Sequence, residues 1–478
     1  MIILVISTLM ISCKDNKKAD NSPKPTLISQ DNIDLKNRVI KIYSICDKLT
    51  NGEKVEDYLA AQNTQVADLE RAKIKRIQDK YNCIFEYAKD DANGSVFQQE
   101  YLPSIKKGDP LIDFIVMPEP FAIQFNIFDE KGIFQPLKEY ANILELNNDQ
   151  IWNVQKQNEL YPDDNTKVLC ANDLYDKFFS NDILFFNKTL LKNAGLSDQY
   201  NLEQMQEDKI WTWEVFRKLC IAISKDTNHD GKNDNHGFFY NSTCLNDLAL
   251  SNGDGKASSL INFDSNGKPE FSILKSAQKG AFDFINDVNK QNCVRLVSDG
   301  SKMNPYDESF NSFVGGNDLF YFGNGLNIYE LQNKMKDEWG AVAFPIGPDN
   351  VSKQYFIANN NTKCFAMARG AKDVGDLAYV LKDFAEAAVG VSDMIDINKR
   401  LLTEKGFDSS IISTYELLSR NEALSADRAN LFDSSMYNFY LDTNKFLFDK
   451  GTDAAFLIKE SALIQTSVDD FWKQIAGK

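Results

Sequence analysis

The chain has 478 residues, more than one hydrophobic core comfortably serves, so two or more lobes are expected. Hydrophobic residues at 43% and charged residues at 26% are ordinary for a globular protein. With 69 acidic against 53 basic side chains the formal net charge is −16, which argues against nucleic acid and against spontaneous docking on anionic lipid, since both need a basic face.

After Met1 the run Ile2 to Ile11 is almost continuously apolar and ends at Ser12-Cys13. It is too short to span a bilayer and suits the apolar region of a signal peptide over residues 1–12. Residues 13–37 are largely polar, carry Pro23 and Pro25, and read as a flexible tether. No later stretch reaches the length of an apolar spanning helix, so the body is expected to be soluble. The other cysteines (Cys46, Cys83, Cys170, Cys220, Cys244, Cys293 and Cys364) are scattered without a CxxC pair, and no disulfide framework can be read from them. Buried thiols are the expectation.

Arg38 to Ile45 alternates like a strand. A polar helix over about Glu70 to Tyr81 leads to a strand at Cys83–Tyr87. A helix near Gln98 to Lys107 then precedes the strand Ile112 to Met117. Strands alternating with helices predict an α/β fold around a largely parallel sheet. A second set opens with a strand at Asp182–Phe186 and a helix closed by Gly195. Further helices are expected at Trp213–Ser224, with Thr212 as N-cap, and at Ser272–Asn289, Val374–Val389 and Asp453–Ala476. Ligands of open α/β sheets sit at the carboxyl ends of strands, so two such lobes would hold a ligand between them.

The run from Asp226 to Asn235 has chemistry of its own. Asp226, Asn228, Asp230 and Asp234 place oxygen donors at loop positions 1, 3, 5 and 9, with Gly231 at the tight turn and the Lys232 carbonyl at position 7. Hard oxygen donors at this spacing suit Ca²⁺. Gly237 stands where a bidentate Glu would close the shell, so Asn235 or a distant carboxylate would have to complete it. The alternative is a polar turn built on Asx side chains without an ion. His229 and His236, in or beside the loop, lack the spacing of a zinc pair.

Three segments resemble the extracellular solute-binding proteins of bacterial ABC transporters, family 1, the carbohydrate-type group. They are Phe185 to Leu196, with its aromatic-Asn-Lys strand end, Trp211 to Phe216, and Phe310 to Asp349, which closes on Trp339-Gly-Ala-Val-Ala-Phe-Pro-Ile-Gly-Pro-Asp349. The leader ending in Ser12-Cys13 is similar to the lipobox of bacterial lipoproteins. That resemblance implies cleavage before Cys13, its lipidation, and an extracytoplasmic protein anchored to the cell membrane.

The family resemblance implies two α/β lobes of periplasmic-binding-protein type, joined by a hinge. Lobe one would hold 38–178 plus 354–395, and lobe two 179–353 plus 396–478. It implies a monomer that captures a sugar or oligosaccharide and delivers it to ABC permease subunits, with no catalytic role. Some members carry a similar loop, which supports Ca²⁺ in a structural role.

Sugar recognition joins flat aromatic faces to charged or amide groups. In lobe one Asp47, Lys48 and Glu119 follow strand ends. In lobe two Asn181 and Asp182 open the aromatic strand. Asn327 and Tyr329 fall on the segment where the family binds ligand, though the Trp common there is missing. Trp211 and Tyr240 are open between core and pocket, while Trp213 and Trp339 read as packing. Competing readings are a surface receptor, a binder of peptides or other solutes, or a secreted glycoside hydrolase. The hydrolase would need two carboxylates facing across a cleft. No Gly-x-Ser-x-Gly elbow or P-loop is present.

Overall fold

Helices and strands of the computed structural model are described for residues 33–45, 53–62, 64–89, 96–118, 121–122, 132–154, 157, 166–172, 177–180, 182–226, 228–241, 244–253, 258–264, 268–296, 305–356, 362–420, 433–448 and 453–476. The leader, Cys13, the tether to residue 32, Asp47, Lys48, Glu119 and Asn181 lie outside the described residues. In chain order the strands of the first half are β1 Arg38–Ser44, β2 Cys83–Tyr87, β3 Phe114–Pro118, β4 Val168–Cys170, β5 Asp182–Asn187 and β6 His236–Phe239. They are followed by β7 Ile261–Phe263, β8 Pro269–Phe271, β9 Val294–Arg295, β10 Asp318–Asn324, β11 Trp339–Val342 and β12 Lys363–Met367.

Two five-stranded sheets result, ordered β2-β1-β3-β12-β4 and β11-β5-β10-β6-β9, with β7 and β8 paired apart from both. In the first, β1 runs parallel to β2 and β3, while β12 is antiparallel to β3 and β4. In the second, β6 runs parallel to β10 and β9, while β5 is antiparallel to β10 and β11. The sheets are therefore mixed, not largely parallel as the sequence suggested. Local βα alternation predicts the parallel pairs, but β12 returns to the first sheet only after the chain has built the second, and it runs against its neighbours.

Period-two alternation sends successive side chains of the first sheet to opposite faces. Ile40, Ile42, Phe114, Val116, Leu169, Phe365 and Met367 pack on one side, against Ile74 and Ile77 of helix Gln65–Tyr81 and Leu377 and Leu381 of helix Val374–Ala385. Tyr43, Ile115, Met117, Val168, Cys170, Cys364 and Ala366 pack on the other, against Phe97, Tyr101 and Ile105. Helix Gln65–Tyr81 starts a turn earlier than expected because Thr64 caps it, its hydroxyl accepting from the Ala67 amide at 3.1 Å. Asn82 ends it in the left-handed conformation, φ 50°.

The second core is aromatic. Trp211, Phe216, Phe238, Phe320 and Phe322 are buried together, and the Phe216 and Phe320 rings stack at 4.6 Å. Helix Trp213–Ile223 reaches them through Trp213, Phe216, Leu219, Cys220 and Ile223 on one face. Thr212 sits at its N-cap position, but its hydroxyl makes no cap bond. Its backbone bridges to Ile346 instead, and the Trp213 amide donates to the Ile346 carbonyl at 3.0 Å. Ile395 of helix Val391–Glu404, Tyr415 of helix Ser409–Arg420, Phe439 of helix Asp433–Phe448 and Leu457 of helix Asp453–Ala476 join the same core. Residues on either side of 172–177, 356–362 and 385–391 belong to different cores, so the chain passes between lobes at these three places. Among the described residues no helix is long and apolar enough to cross a membrane.

Candidate functional site

The crossings locate the functional edge of each sheet. Pro118, at the carboxyl end of β3, pairs with Lys363, and the Ala171 amide donates to the Lys363 carbonyl at 2.9 Å. The chain thus leaves the first lobe after Ala171 and re-enters at Lys363 on the edge where β1, β2 and β3 end. In the second lobe Asp182, the first residue of β5, stands opposite Asn324, the last of β10, and β6 ends on the same side. Both lobes are joined at their carboxyl-end rims, where ligands of open α/β sheets collect.

On the first rim a cavity of about 280 Å³ is lined by residues including Tyr58, Lys73, Tyr87, Asn172, Lys363 and Phe384. Lys73 has 6% exposure and would be costly to bury unpaired. Its Nζ donates to the carbonyls of Phe384 (3.0 Å) and Glu386 (2.8 Å) and pairs with Glu70 at 2.6 Å. Burial pulls the Lys73 pKa down, and the charge of Glu70 opposes that. Lys73 therefore caps the last carbonyls of helix Val374–Ala385, just where the chain crosses to the second lobe. Its charge is engaged at that joint, and Lys363, Asn172, Tyr58 and Tyr87 line the same cavity.

The second rim is built from neutral hydrogen-bonding groups beside the Asp182 carboxylate. Asn327 Oδ1 accepts from the hydroxyls of Tyr306 (3.0 Å) and Tyr321 (3.2 Å), and the Asn324 amide donates to the Tyr306 oxygen at 2.9 Å. Burial first, and then the charge of half-buried Asp182, push the Tyr306 hydroxyl up to about 12, so it stays a neutral donor. Oδ1 is thus engaged, and no described residue accepts from the Asn327 amide nitrogen. Gly325 is required here: a Cβ would lie 1.8 Å from the carbonyl oxygen of Phe178, next to the crossing. Tyr329 has 37% exposure, with its ring edge on Phe407 at 5.7 Å and Lys405 Nζ 5.2 Å from its centroid.

No family model matches the sequence, and no curated protein resembles it in sequence. Solved structures do match. A sugar transporter protein of Rhizobium etli in an open conformation is 14% identical with a TM-score of 0.59, over 90% of this chain and 99% of that one. The cyclic alpha-maltosyl-1,6-maltose binding protein of Arthrobacter globiformis is 11% identical with a TM-score of 0.58, over 92% and 100%. A family 1 extracellular solute-binding protein of Bifidobacterium longum subsp. infantis is 15% identical with a TM-score of 0.54, over 92% and 99%. The chain has the two-lobed fold of the family 1 solute-binding proteins.

Within this solute-binding fold two of the aromatic candidates are core. Trp211 is wholly buried, and its indole N–H donates to the Ala343 carbonyl at 2.9 Å. Tyr240 has 2% exposure, and burial raises its hydroxyl pKa well above the ordinary value. Both side chains face the second sheet's packing, which pattern alone did not separate from the rim. Trp213, whose N–H reaches Ser251 Oγ at 3.1 Å, and Trp339, edge-on to Phe185 at 5.9 Å, are packing as expected. Asp182 and Asn327 meet on one rim through Asn324 and Tyr306, while Tyr329 packs against Phe407 and Lys405. Tyr306 and Asn324, their partners, carried no signal in the sequence, because Tyr306 meets Asn327 only through the fold.

The loop from Asp226 to Asn235 is a set of Asx turns in which carboxylates and amides accept from the loop's own backbone. Asp226 Oδ2 accepts from the Gly231 amide (2.8 Å), Asn228 Oδ1 from Asp230 (2.9 Å), Asp230 Oδ1 from Lys232 (2.9 Å) and Asp234 Oδ2 from Asn228 (3.2 Å). Gly231 takes φ +86° at the turn. Among the described residues no group of three His, Cys, Asp or Glu side chains is placed to hold a metal ion. Asn235 lies beside β6, whose His236 is held down to about 4 by burial and by the charge of Arg295.

Proposed function

We propose that this protein is an extracytoplasmic solute-binding protein that captures a sugar or oligosaccharide between its lobes and delivers it to the permease subunits of an ABC importer. The observation that carries the reading is the joining of both sheets at their carboxyl-end rims within a fold matched over nearly its whole length by binding proteins of this class. Of the neighbours, one is named for a sugar transporter and one for a cyclic maltosyl-maltose. In this reading Lys363, Asn172 and Tyr58 meet the ligand from lobe one, together with Asp47, Lys48 and Glu119. Asp182, Asn327, Tyr306 and Tyr329 meet it from lobe two, together with Asn181. Ring hydroxyls would bond to the carboxylate and amides, and an apolar ring face would rest on a tyrosine. The protein is a binder, not a catalyst, and works as a monomer.

The same reading places a lipid on Cys13 after removal of residues 1–12; the lobes expected at 38–178 plus 354–395 and 179–353 plus 396–478 divide instead at the three crossings, because Tyr355 and Ile395 pack in the second core. Ca²⁺ is proposed for the loop, with Asp226, Asn228, Asp230, Asp234, the Lys232 carbonyl and Asn235 as donors; the positive φ of Gly231 suits the tight turn such a loop needs. Thermal unfolding against mono- and oligosaccharides, with calcium and then with chelator, tests both parts. A ligand that binds only the native state raises Tm by mass action, by several degrees at saturating concentration. No rise with any sugar would remove carbohydrate as the ligand, and a Tm indifferent to chelator would remove calcium.

A further inference from the structure

Two of the buried cysteines stand together. Cys170 ends β4, Cys364 lies in β12, and the two are register partners in the antiparallel ladder. The adjoining pair is hydrogen-bonded, Ala171 N to Lys363 O at 2.9 Å. Hydrogen-bonded and non-hydrogen-bonded pairs alternate along such a ladder, so Cys170 and Cys364 occupy a non-hydrogen-bonded position. Opposite Cα atoms there approach to about 4.5 Å, inside the roughly 4.4–6.8 Å that a disulfide spans. Both side chains project to the face shared with Tyr43, Ile115 and Met117, and both are fully buried. Their sulfurs are 3.6 Å apart.

We propose that Cys170 and Cys364 are joined by a disulfide in the mature protein. The compartment rests on the proposed function, which puts the chain outside the cytoplasm, where disulfides form and persist. The oxidant is a disulfide-bearing thiol oxidant. One cysteine attacks it as a thiolate, and the second displaces the resulting mixed disulfide. Two S–H bonds and the oxidant's S–S bond break, the Cys170–Cys364 S–S bond forms, and the two electrons and two protons leave with the oxidant as its two thiols. Because neither sulfur is exposed, the exchange takes place while β4 and β12 are coming together or opening.

The bond has a particular place in the fold. β4 carries the chain out of the first sheet and β12 brings it back, so the link closes a loop that holds the entire second sheet. It ties outgoing and returning chain together at the first rim, beside two of the crossings. A loop this long removes a large share of the unfolded chain's freedom.

The full chain, purified and equilibrated in a buffer of oxidised and reduced glutathione, is unfolded in alkylating reagent and digested without reductant. Mass spectrometry should find the peptide carrying Cys170 joined to that carrying Cys364, and in Cys364→Ala it should find Cys170 alkylated. Alkylation of both cysteines in the wild-type chain at the oxidising end of the series, or pairing of either with a different cysteine, overturns the proposal. The result does not depend on what the protein binds or where the cell places it, so a failed sugar panel leaves it standing.

Discussion

The first lobe is tied together by pairs far apart in the chain. Arg38 reaches Asp113 and Asp373, Tyr81 and Lys80 share Asp383 at 2.8 Å, and Lys73 holds the carbonyls of Phe384 and Glu386. The second lobe has long-range pairs too, such as Lys188 with Asp408, but its core is the more aromatic and its rim is wired over short spans, with Tyr306, Tyr321, Asn324 and Asn327 all lying between 306 and 327. A lobe closed by long-range polar pairs has its weak points at single buried charges. A lobe closed by apolar packing has them where backbone passes backbone. Four substitutions probe that contrast.

The largest effect is expected at Lys73. Lys73→Met removes the cation but leaves Glu70 and two helix-end carbonyls without it, and breaking a buried pair of this kind costs about 3–5 kcal/mol. Urea unfolding should show the loss in midpoint, and a variant within 1 kcal/mol of wild type, roughly the median for an exposed pair, would make the clamp incidental.

The second lobe buries carboxylates of its own, among them Asp318. Asp318 is fully buried, and burial raises its pKa to about 6 despite the charge of Arg295, whose Nε is 3.3 Å away. A folded pKa above the unfolded 3.8 means that the folded state holds the proton more tightly. Stability contributed by the protonated form is present below 3.8 and is lost as pH rises through about 6, a difference of about 3 kcal/mol. Asp318→Asn should therefore gain on wild type by up to that amount between pH 3.5 and pH 7.5. Parallel stability curves for the two proteins across this range would contradict the assignment.

Gly325→Ala tests the aromatic lobe's backbone contact. Its Cβ would collide with the Phe178 carbonyl, and forcing such contacts apart typically costs about 1–3 kcal/mol. Because the strain falls where the chain enters the second lobe, next to the crossing, ligand affinity should fall with stability. A loss of stability at unchanged affinity would separate that crossing from the site. The smallest effect is expected at Asn327→Ala, which frees two tyrosine hydroxyls and removes a ligand donor. Affinity should drop about tenfold or more, roughly 1.4 kcal/mol, and the protein should stay folded with about 1 kcal/mol less stability, since the buried Tyr321 hydroxyl loses its acceptor.

The same contrast explains what the sequence made legible. Helix and strand positions followed from apolar period and caps, as with Cys83–Tyr87 and helix Asp453–Ala476, which fall where the pattern put them. Asp182 and Asn327 were readable as candidates because each lies in a motif that is a continuous stretch of chain. Lys73, Asn172 and Lys363 were not, because each acquires its place from partners in distant sequence, and a lysine in a polar helix gives no sign that it will be buried. Trp211 and Tyr240 were ambiguous for a related reason: an aromatic just before a helix or just after a strand can turn inward or toward the rim, and only its packing decides, for Trp211 against Phe216, Phe320 and Ala343. The antiparallel course of β12 was likewise hidden, since strand direction is set by where the chain has been.

The most direct test is a calorimetric titration of the full chain with the sugar that raises its melting temperature most. A single site per chain, lost or weakened at least tenfold in Asn327→Ala while the variant stays folded, is the predicted result. Binding of equal strength in wild type and variant would move the ligand away from the second rim, and no binding of any sugar by the folded protein would contradict carbohydrate capture itself.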